Sequence, residues 1–296
     1  MATTPHADAD VPAFAASLGV AGLVDIHTHF MPERVMAKVW AFFDAVPGPQ
    51  GGPGWPIQYR GTPDERLAAI RSLGIRTFTS LAYAHKPDMA EWLNGWTRDF
   101  AADKPDCVHA ATFYPEPGVD RYVAEALDAG AGVFKVHLQV GDFDPRHPLL
   151  EPVWARLADT GVPVVIHCGS GPHGGTHTGP GPISQVLDTH PDLTLVIAHM
   201  GMPEYTEFFG LALRYPNVHL DTTMVFTDYM ERIAPYPRCL RGMLATHPER
   251  IVLGSDFPNI PYPYAEQLRA LADLELGDGW LRAVCHDNGA RLLGRI

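Results

Sequence analysis

With 296 residues, the chain is long enough for one large α/β barrel or for two ordinary domains, and it can bury a substantial core. Its composition, 46% hydrophobic and 19% charged, is typical of a globular protein, and its longest apolar runs are too short to span a bilayer. A formal net charge of −12 without a basic stripe argues against a nucleic-acid partner, because the phosphates would be repelled.

Cysteine usage and the first residues bear on compartment and partners. Cys107, Cys168, Cys239 and Cys285 show neither close pairing nor zinc-ribbon spacing, which is typical of free thiols in a reducing compartment. The first ten residues are polar and lack a signal-peptide pattern, so we expect a cytoplasmic location. The expected partner is a small-molecule substrate rather than nucleic acid or a membrane, and a homo-oligomer stays open.

The first elements precede a long break in regular structure. Residues 1–20 are predicted to be an N-terminal tail and lead-in helix, with 1–9 disordered and 11–18 helical. An apolar run over 20–24 predicts the first strand, and a helix is predicted over 34–45. The Pro- and Gly-rich residues 47–56 cannot form helix or strand, and such a loop inside a compact domain is usually functional or disordered.

From residue 62 onward, helices and strands are predicted to alternate. Thr62 can cap a helix with Pro63 in its first turn and Glu65 at the capping-box position. The later strands are predicted at 75–82, 108–113, 132–138, 163–168, 193–198, 218–222 and 251–254. The helices are predicted at 66–72, 88–102, 119–129, 149–159, 183–189, 204–214, 230–245, 264–274 and 280–293.

Several of these strands are almost wholly apolar, as expected when both faces of a parallel sheet are buried. Eight β/α units predict an α/β protein with a (β/α)8 TIM barrel, formed as a single domain over residues 21–296 with long active-site loops. No Gly-x-Gly-x-x-Gly motif follows the first strand, which counts against a dinucleotide-binding fold.

The first strand ends in Asp25-Ile26-His27-Thr28-His29-Phe30. Side chains two residues apart on a strand point the same way, so both histidines lie on one face. Two imidazoles so placed can reach a single cation, although the pair alone is also compatible with hydrogen-bonded surface histidines.

Similar groups recur at the carboxyl ends of later predicted strands, where TIM barrels carry their chemistry. Strand 4 offers Lys135 and His137, strand 5 ends in His167, strand 6 in His199, and strand 8 in Asp256. A single histidine at a strand end is more often hydrogen-bonded packing than a ligand. Because five strand ends offer such groups, we predict a metal site at the mouth of the barrel.

Five motifs carry these residues in a fixed order: Asp-Ile-His-Thr-His-Phe, Phe-Lys-Val-His, Val-Ile-His-Cys-Gly, Ala-His-Met-Gly and Gly-Ser-Asp-Phe-Pro. In that order they resemble the amidohydrolase superfamily, in the branch that includes aminocarboxymuconate-semialdehyde decarboxylase-like enzymes. The resemblance spans residues 23–294, and the closing segment 287–294 departs from it at Gly289. It is specific for a metal-binding barrel and poorly specific for substrate.

The resemblance implies that His27, His29, His167 and Asp256 hold one divalent metal ion, with His199 beside the water that the ion activates. Three imidazoles and a carboxylate leave room for that water, whose pKa a cation lowers to about 7. Asp256 could accept its proton and pass it to a leaving group. Zinc is the expected ion, and manganese, iron, cobalt or nickel would also suit these ligands.

Lys135 has three interpretations. In binuclear members of the superfamily, the equivalent lysine is carbamylated and bridges two metals, an arrangement that we do not expect here. An unmodified amine that contacts substrate is the preferred interpretation, because the resemblance implies that the lysine is more often left unmodified in this branch. Burial beside a cation favours the neutral amine, which is the species that could react with CO2. A purely structural role is the third.

Loops after the strands supply further candidates for substrate contact. We assign Lys135, His137, His173, His177 and Tyr83 to substrate binding, although the two loop histidines could equally be solvated and His137 could be packing. A loop as rich in glycine as 169–181 can bring its backbone close to a ligand. Aromatic residues near the strand ends suggest an amphipathic organic substrate that is cyclic or aromatic.

The leading hypothesis is a metal-dependent hydrolase of an amide, lactone or related bond, with Asp256 and His199 as the catalytic residues. The alternative is a metal-dependent, non-oxidative decarboxylase of a small unsaturated or aromatic carboxylic acid. A decarboxylase needs a cationic side chain to bind the substrate carboxylate. Arg34 and Arg146 are the candidates for this role, because they are the arginines predicted near strand ends. A catalytically silent binding barrel is disfavoured because every expected metal position is filled.

Overall fold

The computed structural model describes residues 3–46, 54–171 and 174–295 of the chain. Most of the predicted loop 47–56 lies outside this part, as does His173. Across the described residues, parallel strand segments alternate with helices and form the wall of a barrel: β1 (Leu23–Asp25), β2 (Ile75–Thr79), β3 (Cys107–Val108), β4 (Ala110–Thr112), β5 (Val133–His137), β6 (Val164–His167), β7 (Leu195–Ile197), β8 (Val218–Asp221) and β9 (Ile251–Val252).

Strand pairing follows the order of the chain. One sheet runs β1-β2-β3 and the other β4-β5-β6-β7-β8-β9, and all pairs are parallel. The prediction of one strand over 108–113 is corrected in one detail, because His109 separates β3 from β4. Strand interiors such as β6 are buried throughout, which explains their apolar sequence. The predicted (β/α)8 barrel is confirmed.

The barrel closes where the last strand meets the first, and we call this the seam. Thr28 and Phe257 form an isolated parallel bridge. The amide of His29 donates to the carbonyl of Phe257 at 2.7 Å, and the amide of Asp256 donates to the carbonyl of His27 at 2.8 Å. The backbone that carries two histidines of the predicted site is therefore bonded to the backbone that carries its aspartate.

Helices cover the outside of the barrel: α1 (Val11–Ser17), α2 (Glu33–Ala45), α3 (Pro63–Ser72), α4 (Ala90–Ala101), α5 (Val119–Asp128), α6 (Leu138–Gly141), α7 (Glu151–Thr160), α8 (Pro180–Thr189), α9 (Tyr205–Arg214), α10 (Asp228–Glu231), α11 (Arg241–Thr246), α12 (Tyr264–Ala272), α13 (Asp278–Arg282) and α14 (Asn288–Leu292). The Thr62–Glu65 capping box is present. The helical segment over 230–245 is predicted to break at Pro235 and Pro237, and the structure confirms this break, with α10 before the two prolines and α11 after them. No helix in the described ranges is long and apolar enough to cross a membrane.

Part of the segment predicted to be a disordered tail is fixed to the barrel. Asp8 accepts a hydrogen bond from the amide of Ala265 at 2.9 Å and another from the Tyr59 hydroxyl at 2.5 Å. The same hydroxyl accepts a bond from the amide of Tyr264 at 2.6 Å. Asp8 thus caps the first turn of α12 from a distant part of the chain, as a local N-cap residue would.

We expect Asp8→Ala to lower the free energy of unfolding by about 1–2 kcal/mol, because it leaves an amide of α12 and the Tyr59 hydroxyl without this acceptor. Urea denaturation measures the change. Asp159→Ala, which removes an exposed carboxylate from α7, is the control and should stay within about 0.5 kcal/mol of the wild type. Equal stability of the two variants would contradict the capping role.

Candidate metal site at the mouth of the barrel

Three predicted ligands converge at the seam. His27, His29 and Asp256 offer ligand atoms that all lie within 4.8 Å of one another. His29 Nε2 lies 2.7 Å from Asp256 Oδ1, and His27 Nε2 lies 3.6 Å from the same oxygen. Both histidines are buried, whereas the Asp256 side chain keeps 14% of its surface exposed. The group is therefore placed so that a small molecule can approach Asp256.

The contacts of His29 show whether these residues fit a metal ion. Its Nδ1 lies 3.0 Å from the carbonyl oxygen of Leu81, so Nδ1 carries the proton, and Nε2 faces the Asp256 carboxylate. The 2.7 Å separation is that of a hydrogen bond donated by a protonated Nε2, and a divalent metal ion would replace that proton. Imidazole and carboxylate are the ligands that zinc and related ions prefer. The donor set fits a divalent metal ion.

The state of His27 is fixed by its neighbours on both sides. Its Nδ1 lies 2.8 Å from Asp221 Oδ2 and 3.0 Å from Thr223 Oγ1, and its Nε2 lies 3.0 Å from Lys135 Nζ. The carboxylate can only accept and the amine donates, so the Nδ1–H tautomer is present. Burial, and then the charge of Lys135, lower the pKa of His27 to about 3. His27 therefore presents an Nε2 lone pair to the site.

Lys135 is 1% exposed and lies beside this lone pair. Burial lowers the pKa of its amine to about 8, although Asp221 and Asp256 act in the opposite direction. An amine held in this way is a weaker base than an ordinary lysine and exists partly in its neutral form near neutral pH.

Asp256 itself is held as a carboxylate. Burial opposes its ionisation, but the hydrogen bond and favourable electrostatics from His29 lower the pKa of Asp256 well below its ordinary value. Asp256 also has a left-handed backbone, with a φ of 72°, which aspartate tolerates better than most residues. The side chain enters the site as an anion that can accept a proton.

His199 faces the site from the loop after β7. Its Nδ1 lies 3.2 Å from the carbonyl oxygen of Thr223, so Nδ1 donates and Nε2 keeps its lone pair. Its ring centroid is 5.4 Å from that of His27 and 4.9 Å from that of His167. Burial lowers the pKa of His199, which favours the neutral imidazole. His199 also has a left-handed φ of 54°, which is uncommon for residues other than glycine.

His167, the fourth predicted ligand, lies near the group but outside it in this arrangement. Its Nε2 is 3.1 Å from the carbonyl oxygen of Gly171, and its ring stacks on His137 with centroids 3.9 Å apart. Burial lowers the pKa of both rings well below the ordinary value. Tyr83 completes this wall, with ring centroids 5.1 Å from His137 and 5.8 Å from His29. The assignment of His167 as a metal ligand stays a prediction.

The remaining polar candidates point elsewhere or lie outside the described residues. His177 Nδ1 is 3.7 Å from Asp144, a carboxylate that also pairs with Arg146 at 2.7 Å. Arg34 lies over the ring of Trp92, 4.2 Å from its centroid. The two arginines considered for binding a substrate carboxylate therefore contact Trp92 and Asp144 rather than the ligand group. His173 lies in the part of the chain that the structure does not describe.

Strand β8 supplies a residue that the motif pattern did not single out. Asp221 is fully buried and bonds to His27 and to the amide of His199, the latter at 2.8 Å. A Cβ at Gly254 would lie 2.8 Å from His27 Cβ and would overlap Thr223 Oγ1, so only glycine permits this packing. The signal was present in the sequence Leu220-Asp221-Thr222-Thr223, a polar group at the end of another barrel strand.

Comparison with known proteins agrees with this geometry. The amidohydrolase family model, Amidohydro_2, matches residues 24–295 of the chain. No curated protein matches the chain. The uncharacterised TIM-barrel protein Bb4693 from Bordetella bronchiseptica is 19% identical, with a TM-score of 0.70 over 93% of this chain and 99% of that chain.

Two further solved structures share the fold and carry named activities. A candidate 2-pyrone-4,6-dicarboxylic acid hydrolase from Pseudomonas putida is 14% identical, with a TM-score of 0.60 over 93% of this chain and 98% of that chain. A 5-carboxyvanillate decarboxylase from Novosphingobium aromaticivorans, with bound manganese, is 15% identical, with a TM-score of 0.59 over 93% of this chain and 98% of that chain. At these identities the similarity concerns the fold alone.

Proposed function

Because the chain belongs to the amidohydrolase family, we propose that it is a metal-dependent hydrolase of an amide, lactone or related bond in a small organic substrate. The observation that carries the proposal is the convergence of His27, His29 and Asp256 at the mouth of the barrel. A divalent cation supplies Lewis-acid chemistry at such a site, because it polarises a carbonyl and lowers the pKa of water to about 7.

In this mechanism His27 and His29 would hold the cation through their Nε2 atoms, with Asp256 as the carboxylate ligand. His167 would join them after its ring turns from the Gly171 carbonyl. Asp256 would accept a proton from the attacking water and return it to the leaving group, since its side chain is the most exposed of the three and is anionic. His199 accepts a hydrogen bond at Nε2 and orients the water, because its Nδ1 is already committed to Thr223. Zinc is the proposed ion, with manganese next, as in the Novosphingobium enzyme.

Substrate orientation is assigned to the surrounding wall. Lys135 can donate a hydrogen bond to an anionic or carbonyl oxygen, and Tyr83 and His137 offer ring faces beside the ligand group. Trp55 donates from Nε1 to the carbonyl of Asn259 at 2.6 Å and contacts the ring of Tyr229, so aromatic side chains also stand beside the loop that follows Asp256. These contacts support a cyclic or aromatic substrate.

The second candidate is a non-oxidative decarboxylase on the same scaffold. The solved 5-carboxyvanillate decarboxylase shares the fold, and Lys135 is a buried amine that could pair with a carboxylate. Hydrolysis is preferred because Arg34 and Arg146 are engaged by Trp92 and Asp144 rather than placed at the ligand group. A panel of lactones, amides and aromatic carboxylic acids separates the two: release of CO2 without hydrolysis would replace the first proposal by the second.

Metal content tests the site directly. We expect about one equivalent of divalent metal in protein purified without chelator, loss of that equivalent in His27→Ala, and its retention in Lys135→Met, because His27 is a proposed ligand of the mononuclear site and Lys135 is not. Elemental analysis gives the stoichiometry.

Two results would contradict this assignment. About two equivalents, falling when Lys135 is replaced, would mean a pair of metals bridged by a carbamylated lysine. No metal after reconstitution would remove the mechanism altogether. His177→Ala is the control for a histidine near the mouth, because its contact is to Asp144, and it should keep the wild-type metal content.

A further inference from the structure

We infer that Asp221 is a positioning residue that sets the tautomer of His27 and joins it to His199, so that both rings present their Nε2 lone pairs to the same point. The inference deepens the proposed function and rests on it for the identity of the metal ligands. Its own content, the orientation and tautomer of two imidazoles, depends only on contacts among buried residues.

The two oxygens of the Asp221 carboxylate have different partners. Oδ2 lies 2.8 Å from His27 Nδ1. Oδ1 accepts hydrogen bonds from the amide of His199 at 2.8 Å and from the amide of Thr223 at 3.1 Å. Asp221 is fully buried, so water does not substitute for these partners. One carboxylate thus connects the loops after β7 and β8 with the histidine that follows β1.

The contact at Oδ2 decides which nitrogen of His27 is free. An ionised carboxylate only accepts, so the proton of a neutral His27 ring must sit on Nδ1. The two backbone N–H groups at Oδ1 can only donate, and these hydrogen bonds favour the ionised carboxylate. Carboxylate partners of this kind fix ring orientation at metal-binding histidines, and their loss typically costs about 10- to 100-fold in metal affinity.

The contacts at Oδ1 act on the second ring. His199 holds a left-handed φ of 54°, and the following Met200 one of 52°, so its amide needs an acceptor that regular structure does not supply. Asp221 is that acceptor. Thr223, whose amide is bonded to the same oxygen, uses its carbonyl oxygen to accept from His199 Nδ1 at 3.2 Å. The short segment 221–223 therefore determines the free nitrogen of both imidazoles.

Asp221→Asn tests the inference with almost no change in volume. The amide oxygen of asparagine would stay with the two backbone N–H groups, since its NH2 group would oppose them. That places NH2 against His27 Nδ1, which must then accept, and the ring proton moves to Nε2. We expect His27 to change to the Nε2–H tautomer and the affinity for Zn²⁺ to fall about 10- to 100-fold.

Two measurements follow this change. Nitrogen-15 NMR of histidine-labelled, metal-free protein reports the tautomer, with the His27 signals assigned by their loss in His27→Ala. Competition with a chromophoric chelator reports Zn²⁺ affinity. Asp25→Asn is the matched control, because Asp25 is equally buried but bonds to Ser255 Oγ at 2.5 Å, Tyr264 Oη at 2.8 Å and only the backbone amide of His27 at 3.1 Å. It should leave the His27 tautomer unchanged.

If Asp221→Asn keeps the proton on Nδ1, or lowers Zn²⁺ affinity no more than Asp25→Asn does, the inference is overturned. Recovery of the Nδ1–H tautomer in Asp221→Glu would support it, because a carboxylate is restored. The tautomer is measured without metal or substrate, so this measurement tests the role of Asp221 independently of the proposed function. A wild-type protein that hydrolyses nothing would remove that function and leave the assignment of Asp221 in place.

Discussion

Asp256→Asn is expected to lower turnover on the order of 10³-fold while the protein still binds its metal. The substitution keeps an oxygen that can serve as a ligand, but it removes the anionic charge that accepts the proton of the attacking water. Proton transfer by a positioned group typically contributes about 10²–10⁴-fold to rate. Turnover of the best substrate in the lactone and amide panel, measured on metal-loaded protein, gives the value.

The metal content of Asp256→Asn must be measured alongside, because a loss of metal would lower turnover for another reason. Asp188→Asn is the matched control: Asp188 pairs with Arg214 and Tyr215 on the outer surface, and this variant should retain wild-type turnover. Metal-loaded Asp256→Asn with turnover close to that of the wild type would show that a different group moves the proton.

As the pH rises from about 8 to 10.5, the metal-free wild type is expected to gain free energy of unfolding relative to Lys135→Met. In that window the unfolded chain binds a proton on Lys135 that the folded protein has already released. Stability rises with pH wherever the unfolded state binds more protons, so the relative gain could reach about 3 kcal/mol. Well below pH 8 the lysine is protonated in both states, and the cost of burying its charge is fully present.

Urea denaturation of both proteins across this range, with a chelator present, measures the effect. Subtracting the Lys135→Met curve removes contributions from other groups that titrate at alkaline pH. Lys38→Met, which removes an exposed amine from α2, should follow the wild-type pH profile. A constant difference between wild type and Lys135→Met from pH 8 to 10.5 would mean that burial does not depress the pKa of this amine.

The barrel could be predicted from sequence because its signals are local. Apolar runs such as the one in β6 mark strands that are buried on both faces, and Thr62 with Glu65 marks a helix start within four residues. Residues placed at strand ends by this pattern, above all His27, His29 and Asp256, then share one end of the barrel. The interruption of the third strand at His109 was not predicted, because one polar residue within an apolar run is also compatible with a continuous strand.

The parts that could not be predicted depend on rotamers and on distant partners. His167 reaches the correct end of the barrel, yet its contacts to His137 and Gly171 follow from ring orientation, which sequence spacing does not specify. Asp8 was assigned to a disordered tail because its partners lie more than 50 residues away. Asp221 had a visible position at a strand end, but its role follows from a contact 194 residues away along the chain.

The seam has a consequence for the biogenesis of this protein. The amide of Asp256 bonds to the carbonyl of His27, and the amide of His29 bonds to the carbonyl of Phe257, so the two halves of the ligand group meet only through the closing strand pair. A nascent chain in which β9 and Asp256 are not yet synthesised holds the histidines without their aspartate. A metal ion at the proposed site would therefore meet its complete ligand group only after the closing strand has formed, and it would stabilise the closed barrel by an amount that rises with the logarithm of its free concentration.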